Sequence, residues 1–421
     1  MTRMCMEPRT IHAAVTAPPS KSAAHRALMA AALSGRATVR GVLPSEDMEA
    51  TLRCLAALGI AFERRGETVS FPGARSSGHP VADCGESGST LRFFLPLFAA
   101  LGQDVTFVGR GRLPSRPLTV YEDCLPSHGV TLTRATEEGG IVTVRGRLRG
   151  GRFAVDGGVS SQFLTGLLMA LPLCDEDSEI VLTSPLQSAG YVDITLSILK
   201  EAGVAVEPTA AGYFIKGGQT YRLTDHTVEG DWSQAAFWLA SGAVGGAVEV
   251  RGLRRDSVQG DRRIEALLRE MGARLLWNGE VLRCEKAPLK AIEADVSDVP
   301  DLVPVLAVTA SYAVGTTRLY NAARLRLKES DRLQTTADLL CALGGRVTET
   351  EDALYIDGTK LTGGAADGAN DHRIVMSAAV AALAASGTVT VTDAASVQKS
   401  WPSFFEEYNA MGGAAYELTN R

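Results

Sequence analysis

Ser20 to Gly35 reads SKSAAHRALMAAALSG, and this stretch decides the fold because its plan recurs five more times. A short turn of small or polar residues opens a helix rich in Ala, Leu, Val and Phe. The other openings are Ser87-Gly88-Ser89, Ser160-Ser161-Gln162, Trp232-Ser233-Gln234, Val299-Pro300-Asp301 and Asp371-His372-Arg373. Their last members are Ser22, Ser89, Gln162, Gln234, Asp301 and Arg373, so the intervals are 67, 73, 72, 67 and 72 residues. A second landmark keeps step. Gly59, Gly129, Gly203, Gly272, Gly344 and Gly412 each follow a second, more polar helix, where glycine takes the left-handed cap. Two landmarks on one period define a six-fold repeat.

Each copy reads in the same order. In the first, an extended run ends at Ala17-Pro18-Pro19, and a helix is predicted over 21–33 with Gly35 as its stop. A β-branched strand over 37–40 follows, then a second helix over 47–58 closed by Gly59. Residues 60–64 and 68–71 read as a hairpin. The fourth copy repeats this with helices at 233–241 and 261–271 and strands at 247–251, 274–277 and 281–284. The sixth stops after a helix at 404–411 and one strand, so its tail is incomplete.

The first helix of each copy is apolar nearly all round, as at 302–314 and 374–385, and such helices are buried on most sides. The second helices carry Asp, Glu, Arg and Lys and belong outside. The predicted class is α/β: two similar domains of three repeated units, with helices buried and sheets around them, an inside-out α/β barrel. A chain of 421 residues is long for one core, and three repeats per domain suits its length. The third and fourth copies join at Asp225–Gly230, which sets domains at 20–228 and at 1–19 plus 229–421. Periodicity leaves the strand order open, and with it the partners of the residues before Pro18.

Composition narrows the function. Hydrophobic residues make up 45% and charged residues 21%, the balance of an ordinary globular protein. A net charge of −6 argues against broad attraction to nucleic-acid phosphates, so any basic site must be local. No apolar stretch has the roughly 18 residues of a membrane span, and residues 1–12 lack a signal-peptide core. Cys5, Cys54, Cys84, Cys124, Cys174, Cys284 and Cys341 are scattered, odd in number and free of any Cys-x-x-Cys pair. That pattern suggests neither disulfides nor zinc, and a cytoplasmic address.

Six helix starts present unpaired N–H groups and positive dipole charge, a natural seat for small anions. At Ser20-Lys21-Ser22…Arg26 a hydroxyl, an ammonium and a guanidinium converge near one such start. This reads either as an anion cradle or as a capped helix with solvated charges. Ser160-Ser161-Gln162 holds the same place in the third copy. In Lys328-Glu329-Ser330-Asp331-Arg332, the two cations stand four apart on an expected helix start. They either hold an anion between them or form a solvated ion-pair face. Arg116 and Lys399 sit in strand-to-helix turns. Asp301 opens a helix as a cap or as a reactive carboxylate, and Arg373 beside a buried segment requires an anionic partner.

Taken together, these phrases resemble the 5-enolpyruvylshikimate-3-phosphate synthase family. The resemblance runs from about Ala14 to Glu407 and is carried by Ser20-Lys21-Ser22…Arg26, Gly88, Arg116, Ser160-Ser161-Gln162, Asp301, the Lys328–Arg332 phrase, Asp371-His372-Arg373 and Lys399. It implies two domains of three βαβαββ units closing over a cleft, in a monomer that needs no metal or organic cofactor. It implies transfer of the enolpyruvyl group of phosphoenolpyruvate to shikimate 3-phosphate, on the route to chorismate and the aromatic amino acids, by the enzyme that glyphosate targets. Lys21, Ser22, Arg26, Ser160, Ser161, Gln162, Ser188, Asp301 and Lys328 would hold shikimate 3-phosphate. Lys21, Gly88, Arg116, Gln162, Arg332, Arg373 and Lys399 would hold phosphoenolpyruvate. Asp301 would take the proton of the 5-hydroxyl, and Glu329 and Lys21 would serve proton transfer at the methylene carbon.

Two positions depart from the pattern: Glu86 stands where Asn is expected before the loop glycine, and Arg324 where Asn is expected before Lys328. The enolpyruvyl transferase that acts on UDP-N-acetylglucosamine is the nearest rival. It carries a cysteine in the loop that here reads Gly109 to Arg116, where none occurs. A non-catalytic scaffold of six repeats has no need of the charges at the openings.

Overall fold

The computed structural model describes residues 2–136 and 138–418; Met1 and residues 419–421, at the ends of the expected domain 1–19 plus 229–421, and Glu137, inside 20–228, lie outside the described residues. The chain separates into two compact units. One comprises Lys21–Val228, the other Met1–Ser20 with Glu229–Arg421.

Both units are built on one plan, and the middle unit, Lys21–Val228, shows it without interruption. Helices Lys21–Ser34, Gly88–Ala100 and Ser161–Ala170 supply its buried interior. Helix Glu46–Ala57 illustrates the outer kind. Ser45 caps its first turn, which carries Glu46, Asp47 and Glu49 at the positive dipole end, while Met48, Ala50, Thr51, Leu52, Cys54, Leu55 and Ala57 are buried. Helices Gly88–Ala100 and Ser161–Ala170 pack closely at Gly166. A Cβ there would overlap both the Tyr121 hydroxyl and the Arg92 carbonyl, and Tyr121 bridges the two helices by donating to the carbonyls of Arg92 and Phe163. In the other unit Trp232–Gly245, Val303–Ala310 and His372–Ala384 play the interior part, and almost every residue in them is buried.

Among the described residues, three four-stranded sheets with one repeated topology stand around each interior. An entering strand lies parallel to the second strand, which pairs antiparallel with the fourth, and the third lies outermost. The third-repeat sheet shows this with Gly151–Val155, Ser178–Leu182, Gly212–Ile215 and Val206–Thr209. Three positions are filled by strands distant in sequence. Asp225–Thr227 enters the first-repeat sheet beside Arg36–Arg40. Ile11–Thr16 enters the fourth beside Gly246–Arg251. Met4–Glu7 lies between Val389–Val391 and Ala414–Glu417, completing the short sixth repeat. The residues before Pro18 thus pair with the unit that contains Glu229–Arg421.

Four local expectations are corrected. The apolar run 302–314 is not one helix: a 3₁₀ turn, Pro300–Leu302, leads into helix Val303–Ala310. Ala313–Val314 then pairs with Leu289–Lys290, leaving Val314 81% exposed. Backbone pairing to a neighbouring strand outcompetes helix continuation there. The first hairpin begins at Glu63, not at residue 60, because Ile60 makes only an isolated bridge to Arg75. The span 261–271 divides into a 3₁₀ turn, Gly260–Arg263, and helix Ile264–Glu270. Lys328 is extended, φ −85° and ψ −162°, after the 3₁₀ segment Ala323–Leu327, so it does not share a helix start with Arg332.

Candidate active site

In the middle unit the helix openings bring polar groups to bear one repeat at a time. Lys21, the first residue of its helix, donates through Nζ to Asp47 Oδ2 at 2.7 Å, with both side chains mostly buried. Arg26 lies 2% exposed and spans three helices. It donates to Thr195 Oγ1 at 2.7 Å, to Thr165 Oγ1 at 3.1 Å, and to the carbonyls of Tyr191 at 3.0 Å and Ser22 at 2.6 Å. Burial lowers its pKa to about 9, since these acceptors carry no full charge. Arg26 thus braces the helix that carries Lys21 and Ser22 against helix Ala189–Glu201. Ser188, which precedes that helix, has φ +57° and is buried.

Ser160 caps its helix by accepting from the Gln162 N–H, and Ser161 is buried beside it. Gln162 is fixed at both ends of its amide. Nε2 donates to Ser89 Oγ at 2.9 Å, and Oε1 accepts from Arg92 at 2.6 Å. Arg92, 3% exposed, also donates to the Pro117 carbonyl at 3.1 Å, next to Arg116, and its guanidinium lies over the Phe163 ring. A Cβ on Gly88 would stand 2.5 Å from Arg116 Nη1, so the Arg116 guanidinium lies against the bare Gly88 backbone.

In the other unit a denser cluster forms. Asp301 Oδ1 accepts from Arg332 at 2.8 Å and Lys328 at 3.3 Å, and Oδ2 accepts from Arg373 at 3.0 Å. Arg332, 1% exposed, also pairs with Glu329 Oε2 at 2.6 Å and with Asp371 Oδ2 at 2.7 Å. Burial opposes its charge, but Asp371, Glu329 and Asp301 outweigh burial and raise its pKa. Burial is foremost at Lys328 too, and there it prevails over Asp301, so Lys328 is a weaker base than usual. Asp371 is fully buried and caps helix His372–Ala384 through the Arg373 N–H. Lys399 Nζ donates to the Asn370 carbonyl at 2.7 Å. The backbone leading to Asp371 is unusual: Ala369 and Asn370 both have φ +50°, a left-handed conformation that costs a non-glycine residue about 1–3 kcal/mol.

Asp301, Lys328, Glu329, Arg332 and Arg373 are thus in one contact network, and Lys399 joins it through the Asn370 backbone. Lys328 and Arg332 do converge, but on the Asp301 carboxylate, which is also the anionic partner that Arg373 requires. Gly88, Arg116 and Gln162 are linked through Arg92, while Lys21, Ser22 and Arg26 follow one another along a single helix. Sequence reasoning passed over Asp47, Ser89, Arg92 and Tyr191, and left Asp371 without a role. Ser89 lies in an opening and was within reach of the repeat. The others carry no local signal. Among the described residues no group of three or more His, Cys, Asp or Glu is placed to hold a metal ion, and no helix is long and apolar enough to cross a membrane.

A family model described as EPSP synthase (3-phosphoshikimate 1-carboxyvinyltransferase) matches residues 6–408. The chain belongs to the EPSP synthase family. It is 43% identical over 419 residues to the 3-phosphoshikimate 1-carboxyvinyltransferase of Clostridium kluyveri, covering 98% of each chain. To that of Clostridium novyi it is 40% identical over 420 residues, covering 96% of each. The fold is similar to a solved EPSP synthase from Acinetobacter baumannii, with a TM-score of 0.83, 26% identity and full coverage of both chains. Membership in the EPSP synthase family extends over both units, so it takes in the Asp301 network as well as the Lys21, Gly88 and Gln162 openings.

Proposed function

We propose that the protein transfers the enolpyruvyl group of phosphoenolpyruvate to the 5-hydroxyl of shikimate 3-phosphate, giving 5-enolpyruvylshikimate 3-phosphate and inorganic phosphate. The observation that carries this reading is the Asp301 network, a carboxylate encircled by Lys328, Arg332 and Arg373. Two anionic substrates repel one another, and only a dense set of cations brings them together. Lys328, Arg332, Arg373 and Lys399 supply that set, against the carboxylates of Asp301, Glu329 and Asp371.

The chemistry divides among these groups. The 5-hydroxyl oxygen attacks the phosphate-bearing carbon of phosphoenolpyruvate as its proton passes to Asp301. The methylene carbon gains a proton from Glu329 or Lys21. The resulting tetrahedral intermediate loses phosphate when the same methyl carbon returns a proton and the double bond re-forms. Cations beside the phosphate stabilise the charge it carries away. Lys21, Ser22, Arg26, Ser160, Ser161, Gln162 and Ser188, with Asp301 and Lys328, hold shikimate 3-phosphate. Gly88, Arg116, Arg332, Arg373 and Lys399, with Lys21 and Gln162, hold phosphoenolpyruvate. Excluding water from around the bound substrates strengthens each charged contact. The protein acts as a monomer in the cytoplasm, on small molecules, with no metal or organic cofactor.

Phosphate release tests the reading. It should require both substrates together, with either omission abolishing it. Release without shikimate 3-phosphate, or equal release with UDP-N-acetylglucosamine as acceptor, overturns the assignment.

A further inference from the structure

Glu86 stands two residues before Gly88, where a carboxylate is unexpected beside a site for an anion. Its placement gives it a use. A Cβ on Gly111, whose φ is +61°, would lie 2.6 Å from both Cδ and Oε2 of Glu86 and 3.0 Å from Oε1, so the carboxylate is seated on the backbone at Gly111. The Arg110 N–H donates to the Gly85 carbonyl at 2.8 Å, and a Cβ on Gly109 would lie 2.9 Å from that same oxygen. Two glycine-bearing turns are thus apposed backbone to backbone, one containing Gly85, Glu86 and Gly88, the other Gly109, Arg110 and Gly111. The second turn runs directly into the 3₁₀ segment Leu113–Ser115 and then Arg116.

Cations gather round the first turn. A Cβ on Gly85 would lie 3.3 Å from Arg53 Nη2 and 3.8 Å from Arg110 Cζ, and Arg116 lies over Gly88. Asp83 pairs with Arg53 at 3.1 Å and Glu46 stands 3.9 Å from Arg110, so these two guanidinium groups already have carboxylates beside them, and the Glu86 charge, seated at Gly111, is left to the turn that leads to Arg116. The segment's far end is anchored separately, where Arg92 donates to the Pro117 carbonyl.

We propose that Glu86 is a positioning residue for phosphoenolpyruvate: its charge fastens the turn around Gly111 to the turn around Gly85 and so sets the Arg116 guanidinium over Gly88. This rests on the reading that Gly88 and Arg116 receive phosphoenolpyruvate. Glu86 acts through Arg116, so its effect is confined to one substrate and disappears when Arg116 is gone.

Steady-state phosphate release with the full chain tests this. Glu86→Gln, which keeps the shape and loses the charge, should raise the KM for phosphoenolpyruvate by about tenfold while the KM for shikimate 3-phosphate stays within about twofold. Glu86→Ala carries the same expectation. In an Arg116→Ala background, adding Glu86→Gln should change the phosphoenolpyruvate KM by less than about twofold. An unchanged KM in the single variant overturns the proposal, as does an equal rise in both KM values or the same tenfold rise in the Arg116→Ala background. The wild-type chain separates the two readings. Its failure to release phosphate from the two substrates removes the proposed function and this inference together. Normal wild-type release with an indifferent Glu86→Gln removes only the inference.

Discussion

Asp301 shares its carboxylate among Lys328, Arg332 and Arg373, and this governs how its role is tested. Asp301→Ala deprives two buried guanidinium groups of a partner, a loss on the scale of about 3–5 kcal/mol for a broken buried pair, so chemistry and stability would fall together. Asp301→Asn keeps the shape. It removes the same charge, so its urea midpoint should also fall, and kcat measured on protein that is still folded should drop by about 10²–10⁴-fold; near-normal turnover removes Asp301 from the proton step. His25 offers a test that does not depend on activity. It is 1% exposed, with Nδ1 2.6 Å from Thr51 Oγ1, and burial first, then Lys21 and Arg26, hold its pKa well below 6.5. The unfolded chain takes up a proton near pH 6.5 and the folded chain does not, so stability falls as pH drops below that value, by at most about 1.4 kcal/mol per pH unit. Urea unfolding at pH 7.5 and 5.5 should show this loss in the wild type and a smaller one in His25→Gln. Equal losses contradict it. Cations at the helix openings were legible because each recurs at a fixed place in a repeat. Their partners were not: Lys21 meets Asp47 and Arg332 meets Asp371 at sequence separations of 26 and 39, and Arg92, itself passed over, meets Gln162 at a separation of 70. Only packing joins such pairs.

Helices Gly88–Ala100 and Ser161–Ala170 carry Ser89, Arg92 and Gln162, and their separation is set by the missing side chain at Gly166. Gly166→Ala pushes against the Tyr121 hydroxyl and the Arg92 carbonyl, and overpacking of this kind costs about 1–3 kcal/mol. The expected result is a lower urea midpoint together with weaker binding of both substrates, because Gln162 serves both. A variant with normal stability and normal KM values would show that the helices have slack. Inner and outer helices were legible as elements, since an all-round apolar run and a charged run have different burial. Their limits were harder. Ser311 to Val314 carries no charge, glycine or proline to stop a helix, and the strand partner that follows Ala310, at Leu289–Lys290, is one that composition does not announce.

Each unit has its own apolar core, and the molecule should unfold accordingly. All four tryptophans, Trp232, Trp238, Trp277 and Trp401, belong to the unit that contains Glu229–Arg421. Tryptophan fluorescence therefore reports that unit, while far-ultraviolet circular dichroism reports both. Urea midpoints from the two signals should differ, and shikimate 3-phosphate should raise both, since residues proposed to bind it occur in each unit. Coincident midpoints without ligand count against independent cores. The six-fold period was readable at this scale because it repeats in the residues themselves. Which strand completes which sheet was not, because alternation along a strand is silent about its neighbour. The strands Met4–Glu7 and Ile11–Thr16 are the clearest instance, for the sheets they complete lie beyond residue 245. On the ribosome these two strands are made before Lys21–Val228, and all of that unit must follow before any of their partners exists. At about 5–20 residues per second that wait is on the order of ten seconds or more, during which the middle unit can fold alone while a newborn leader with open β edges stays exposed to chaperones or to other nascent chains.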